Sequence, residues 1–109
     1  EINFHMRNAE SFILSSLWED PGFVLVEAAM NNLFIISSNC KNGPTEFLNH
    51  GDGGILFESN KKNALLKSLI DFVILKNTKK YLSSLKISKK NCKKYTLLSH
   101  YNLLKKNIL

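Results

Sequence analysis

The sequence predicts an α/β fold of about three parallel strands with flanking helices and a helical C-terminus. Three observations carry that expectation. Short runs rich in isoleucine, leucine and phenylalanine alternate with helix-period segments over the first sixty or so residues. Glycine and proline clusters separate these runs, and strands alternating with helices at this spacing favour parallel pairing through crossovers. From Lys61 onward the pattern is helical throughout. At 109 residues and 44% hydrophobic content the chain can bury one modest core. It is expected to form a single partial domain, with an α/β core over residues 1–60 and helices over residues 61–109.

Residues Phe4 to Ala9 have the pattern of a helix end. Ser11 to Ser15 is expected to be a buried strand, and a turn at Pro21-Gly22 leads to a helix over Phe23 to Asn31. Asn31-Asn32 closes that helix, because asparagine tolerates the left-handed backbone a helix end favours. Leu33 to Ser38 gives a second strand. Gly43-Pro44 opens a short helix through Leu48, and Gly51-Asp52-Gly53-Gly54 turns into a third strand, Ile55 to Phe57.

Asn60 has the chemistry of an N-cap for a helix whose apolar face is Leu65, Leu66, Leu69, Ile70 and Val73. A second stripe, Tyr81, Leu85, Ser88, Cys92 and Tyr95, predicts another helix. A third helix, capped by Thr96, is expected to present Leu97, Tyr101, Leu104 and Ile108. All three stripes are assigned to packing.

The net charge of +6 conceals an asymmetry. Before Lys61 there are eight acidic residues against Arg7 and Lys41, whereas from Lys61 onward thirteen lysines face one acid, Asp71. Nucleic-acid binding would call for interleaved aromatics, glycines or arginines, and the basic half shows no such array. The lysines therefore read first as solvated helix faces, and second as a contact with an anionic membrane surface. No apolar run approaches the length of a membrane span. Cys40 and Cys92 lack metal-ligand spacing and are expected to be buried thiols in a reducing cytoplasm. His5, His50 and His100 are scattered, as surface or half-buried residues would be.

The chemically informative segment runs from Ser15 to Ala29, where Glu19 and Glu27 are separated by seven residues. A helix beginning near Gly22 or Phe23 leaves its first N–H groups unpaired, and these donors with the helix dipole suit a phosphate. Pro21 fixes its own backbone, and Gly22 has no side chain to obstruct a ligand. Carboxylates suit the neutral, hydroxyl-rich parts of the same ligand, accepting hydrogen bonds from sugar or ribose hydroxyls. The ligand implied is a nucleotide sugar. From spacing alone a plainer alternative stands equally: Glu19 complements the helix dipole and Glu27 is a solvated helix residue.

The run SSLWEDPGFVLVEAAMNNLFIISSNCKNGPTEFLNHGDGGILF resembles the centre of the C-terminal domain in the group 1, retaining, GT-B-fold glycosyltransferases. That family carries two glutamates with seven residues between them in an SLxEGFGxVxLEAM context, then a strand, a Gly-Pro turn and a GxxGxLF segment. The resemblance implies a partial Rossmann-like GT-B C-terminal domain. It further implies that Glu19 is the catalytic glutamate and holds hydroxyls of the transferred sugar, while Glu27 binds the ribose. Gly22, Phe23, Val24 and Leu25 would offer backbone N–H groups to the sugar and the distal phosphate.

No metal and no cofactor are expected, since in such enzymes helix-start donors and basic side chains stabilise the leaving pyrophosphate. The family's basic pair lies upstream of this segment, so neither Arg7 nor Lys41 is assigned to it. The implied partners are a nucleotide-sugar donor such as a UDP-sugar, a glycan or lipid-linked acceptor, and an N-terminal domain that would hold that acceptor. A cytoplasmic location at the inner face of a membrane fits these partners, and nucleic acid is not among them. The final helix would cross back to the partner domain.

Two departures from the pattern leave the site intact. Asp20-Pro21-Gly22 replaces the usual residues after the first glutamate but keeps a small residue at the approach point, and Asn31-Asn32 replaces a small-residue pair between helix and strand. Gly43, Pro44 and Glu46 match a family turn near the site, and helix capping explains them equally well.

Such a domain needs more parallel strands than three, and the chain opens within an element, so a fragment or truncated product is expected. Two functions remain. One is the donor-binding part of a retaining hexosyltransferase, inactive alone, which transfers a hexose or N-acetylhexosamine in surface polysaccharide biosynthesis. The other is a non-catalytic nucleotide-sugar binding or interaction module completed by another chain.

Overall fold

The computed structural model describes residues 9–14, 22–39 and 44–108, with side chains described for 9–14, 24–39 and 44–94. Three strands form one parallel sheet in the order β1 (Ser11–Leu14), β2 (Phe34–Ser38), β3 (Gly54–Phe57). Phe12 lies opposite Ile35, and Ile36 lies opposite both Ile13 and Ile55, so the pairs are in continuous register. Helix α1 (Gly22–Met30) joins the first two strands, and a short α2 (Pro44–Phe47) with a 3-10 turn (Asn49–Gly51) joins the last two. Helices α3 (Ala64–Leu75) and α4 (Lys79–Ile108) follow. The α/β class and parallel pairing expected from the sequence are both present. The predicted helix end over Phe4 to Ala9 lies almost wholly outside the described residues.

Strand β2 explains why the layers stack as they do. All five of its residues are buried, as befits a parallel strand covered on both faces. Because successive side chains alternate, Ile35 points into one layer with Leu25, Ala28 and Ala29 of α1, Phe47 at the end of α2, and Cys92 of α4. Phe34 and Ile36 point the other way, into a layer with Phe57 and Phe72 against which Leu65, Leu69, Tyr81 and Leu85 pack. The Phe34 ring stacks on Tyr81 with centroids 5.4 Å apart and meets Phe72 at 5.2 Å. Burying a phenylalanine or isoleucine side chain contributes roughly 1.5–3 kcal/mol.

Helix α1 ends as the asparagine pair predicts. Asn32 adopts a left-handed backbone with φ of 61°. Leu33 N–H donates to the Ala28 carbonyl at 3.1 Å and Asn32 N–H to the Ala29 carbonyl at 3.0 Å. This is the paired-bond arrangement of a Schellman cap, and Leu33 joins Ala28 in the core as such a cap favours.

The C-terminal helices depart from expectation in three ways. First, Asn60 does not cap α3, which begins at Ala64 after Asn63 in the left-handed region. Successive turn bonds, Lys61 N–H to Glu58 and Ala64 N–H to Lys61, occupy the chain where the helix was expected to start. Second, the buried face of α3 is rotated. Ser68 and Phe72 are buried, whereas Leu66, Ile70 and Val73 are 57%, 51% and 71% exposed. With apolar residues nearly all round this helix, the stripe pattern does not single out one face.

Third, Thr96 starts no helix, because α4 runs unbroken from Lys79 to Ile108. That span contains neither glycine nor proline to stop it, and a threonine side chain can remain inside a helix. The cap that does operate is Thr78, whose hydroxyl accepts from Tyr81 N–H at 3.2 Å and donates to the Leu75 carbonyl at 2.6 Å. The side chains of Leu97, Tyr101, Leu104 and Ile108 lie outside the described set, while Cys92 is buried as its stripe predicts.

Gly54 sits where β3 meets the central strand. A Cβ there would collide with the backbone carbonyl of Ile35 and press on Leu48 at 3.2 Å. Gly54→Ala is therefore expected to cost about 1–3 kcal/mol, a fall in melting temperature of roughly 4–8 °C per kcal/mol in a small domain. The exposed Lys62→Ala should stay within about 0.5 kcal/mol of wild type. Thermal unfolding followed by circular dichroism checks both, and equal melting of Gly54→Ala and wild type would contradict this packing.

Candidate functional site

In a parallel sheet all strand ends of one kind lie on one edge, so Leu14, Ser38 and Phe57 end at the same edge. Ligands of open α/β sheets bind outside that carboxyl edge. Helix α1 follows β1 and begins at Gly22, so its N-terminus emerges from there. The N–H groups of Gly22, Phe23 and Val24 precede the point where intrahelical bonding takes hold. Leu25 packs its side chain into the core, and the residue as a whole is 1% exposed. Val24 is half-buried.

Glu27 lies one turn further along α1 and is half-buried. Its own carbonyl accepts from both the N–H of Asn31 at 3.1 Å and the Asn31 side-chain amide at 2.8 Å. Those bonds fix the backbone that carries the carboxylate. Glu19 and Pro21 lie outside the described residues, as do Cys40 and Gly43, while Gly22 and Phe23 are described only as backbone. Five of the six predicted residues thus share the helix that opens at this edge. Glu46 is exposed in the first turn of α2, and Pro44 beside it is buried. His50 is exposed with φ of 57°.

Some structurally important residues beside this edge have only a weak sequence signal. Ser37 and Ser38 end β2 in full burial, and the Ser37 hydroxyl donates to the Ser38 carbonyl at 2.9 Å. Asn39 N–H then donates to the Phe57 carbonyl at 2.9 Å, tying the ends of β2 and β3 together. Helix α4 braces the loop between α2 and β3 from behind. The Asn91 amide donates to the Phe47 carbonyl at 2.6 Å and to Asn49 Oδ1 at 3.1 Å, and the Ser84 hydroxyl donates to the Asp52 carbonyl at 2.8 Å. Ser84, Ser88 and Asn91 are polar residues at helical spacing among apolar ones, a pattern that signals buried bonding only once the neighbouring loop is known.

An open groove of about 490 Å³ runs between β3 and α3, bordered by Phe57, Glu58, Lys61, Lys67 and Asp71. Its charges are of both signs, and Lys61 pairs with Glu58 at 3.5 Å. Among the described residues no three His, Cys, Asp or Glu side chains stand together as metal ligands would.

The comparisons with known proteins agree with this geometry. A family model described as glycosyl transferases group 1 matches residues 1–96. Among curated proteins, an uncharacterized glycosyltransferase of Methanocaldococcus jannaschii is 42% identical over 43 residues, covering 39% of this chain and 11% of that protein. The chain thus spans a small part of that relative's length.

The brace from α4 can be tested separately from ligand binding. Asn91→Ala removes the buried bonds to the Phe47 carbonyl and to Asn49 Oδ1 and should cost about 1–3 kcal/mol. Urea unfolding should show a lower midpoint with an unchanged slope, and an unaltered midpoint would mean the bond contributes nothing to the loop.

Proposed function

Because the chain belongs to the group 1 glycosyltransferases, we propose that it is the donor-binding part of a retaining enzyme that transfers a hexose or N-acetylhexosamine from a nucleotide sugar. The acceptor class we assign is a surface glycan or lipid-linked sugar, reached on the cytoplasmic side. The observation that carries this proposal is the position of α1, which begins after β1 at the carboxyl edge of a parallel sheet and carries Glu27 half-buried one turn inside.

Each part of the donor has a matching group. The N–H groups at Gly22, Phe23 and Val24 are offered to the sugar and distal phosphate, with the positive end of the helix dipole behind them; Leu25, 1% exposed, holds the helix start against the core. Charge builds on the phosphate oxygen as the bond to the sugar breaks, and fixed donors stabilise it without reorganising. Glu27 accepts hydrogen bonds from the ribose hydroxyls, and Glu19 from hydroxyls of the transferred sugar. Neither Arg7 nor Lys41 is assigned to neutralise the leaving diphosphate, and this reading calls for no metal ion.

The two glutamates should separate in kinetics. Glu27→Gln in the complete enzyme is expected to weaken nucleotide binding by roughly 1.5–3 kcal/mol, the range for hydrogen bonds to a charged group. Calorimetry against UDP-, GDP- and ADP-sugars reads this directly. Glu19→Gln should leave nucleotide affinity near wild type and lower kcat. Wild-type binding and turnover in both variants would remove the assignment.

A further inference from the structure

Helix α4 contains no acidic residue along its whole length. Lys86, Lys89, Lys90 and Lys93 follow i, i+3, i+4, i+7 spacing and so share one face. That face points away from the core, which α4 meets through Ser84, Ser88, Asn91 and Cys92. With Asn32 and Leu85, the four lysines border an open groove of about 330 Å³. Leu82 stands one turn before Lys86 on the same face and is 52% exposed. Met30 closes the other side at 54% exposure, its carbonyl accepting from Lys89 Nζ at 2.9 Å.

We propose that this face of α4, with Leu82 and Met30 at its rim, docks the protein on an anionic lipid bilayer. The chemistry of the surface favours a bilayer in two respects. Lysine ammonium groups are compact charges attracted to an anionic leaflet, and exposed apolar side chains beside them can enter the boundary between headgroups and acyl chains. The ion pairs formed by lysines among the described residues, Lys61 with Glu58 and Lys76 with Glu10, lie elsewhere. Nucleic acid fits less well. Among the described side chains of α4 the aromatic is Tyr81, which is stacked on Phe34 inside the fold and offers no platform for a base. No helix of the described residues is long and apolar enough to cross a membrane, so the contact is peripheral.

The lysine face is also separate from the donor edge. Lys89 reaches the C-terminal end of α1, whereas the proposed donor site lies at its N-terminus, about 12 Å away at a rise of 1.5 Å per residue. Membrane docking therefore leaves the carboxyl edge of the sheet open and does not depend on the donor assignment.

Co-sedimentation of the full protein with vesicles tests the proposal. Wild type should bind an equimolar mixture of phosphatidylglycerol and phosphatidylcholine, bind pure phosphatidylcholine far less, and lose affinity as salt rises. Losing each lysine should weaken partition roughly fivefold, so Lys86→Gln/Lys90→Gln/Lys93→Gln should weaken it on the order of a hundredfold. The milder Lys86→Gln/Lys93→Gln, both exposed, should weaken it about twenty-five-fold on the same scale. Leu82→Ser should weaken it severalfold at unchanged salt dependence. Nucleotide-sugar affinity and circular dichroism should be unchanged in these variants. Failure of wild type to sediment with the mixed vesicles overturns the proposal, as does equal binding by wild type and the double variant. Tighter binding to RNA than to the vesicles, with Leu82→Ser silent, assigns the face to a polyanion instead.

Discussion

Burial of the central strand on both of its faces is the constraint from which the remaining arrangement follows. Phe34 and Ile36 must be covered from one side and Ile35 from the other, and α1 and α3 divide most of that task. Helix α1 covers Ile35 through two alanines small enough to let its backbone lie close to the sheet, while α3 covers Phe34 through Phe72. The parallel direction of the strands then goes with the crossovers that carry α1 between β1 and β2 and α2 between β2 and β3. With the strands parallel, the N-terminus of α1 is delivered to the carboxyl edge, so the candidate site is a product of the core.

Helix α4 serves both layers, and this is what makes a small sheet sufficient. Tyr81 and Leu85 near its start pack with Phe34, whereas Cys92, two turns later, packs with Ile35 and Leu25. Between them Ser84 and Asn91 satisfy carbonyls of the loop that connects α2 to β3. A carbonyl buried there without a donor would cost about as much as a core methylene or more. One long helix therefore supplies apolar cover and polar satisfaction in the same stretch, which also explains why serine and asparagine occupy its buried face.

The positions of the strands and α1 are legible in the sequence because each has one strong local signal, although β1, expected to be buried, is an edge strand with Ile13 41% exposed. Leu33 to Ser38 is a continuous apolar and small run, bounded before by asparagines that can adopt positive φ, and Asn32 does so. The C-terminal half was less legible for a physical reason. Leucine and isoleucine surround α3, so helical periodicity identifies a helix but not which side is covered, and Leu66 and Ile70 were expected inside. Asn60 has a capping side chain, yet a run of turns reaching Asn63 decides where the helix begins. Likewise Thr96 and Thr78 have the same chemistry, and only Thr78 stands where the preceding helix has ended. In the candidate site, Gly22 through Glu27 were placed together by pattern and are together on α1, while the buried Ser37-Ser38 step depends on strand pairing that no local signal reports.

The two ends of α1 are treated differently, and that difference is a physical argument for where a ligand belongs. At the C-terminal end the carbonyls of Glu27, Ala28 and Ala29 accept from Asn31, Leu33 and Asn32, and Lys89 places its ammonium on the carbonyl of Met30. A cation at that end also complements the helix dipole. The carbonyl end is thus satisfied by the protein itself. At the other end, Gly22 opens the helix, and the described residues of its first turn carry no acidic side chain. N–H groups at a helix start on the carboxyl edge of a sheet, backed by the helix dipole, favour an anionic group. Glu27 lies beyond the first turn, where the dipole's influence has fallen away. Its carboxylate is therefore better suited to neutral hydroxyls than to a phosphate, which is the division of roles the proposed donor site asks of this helix.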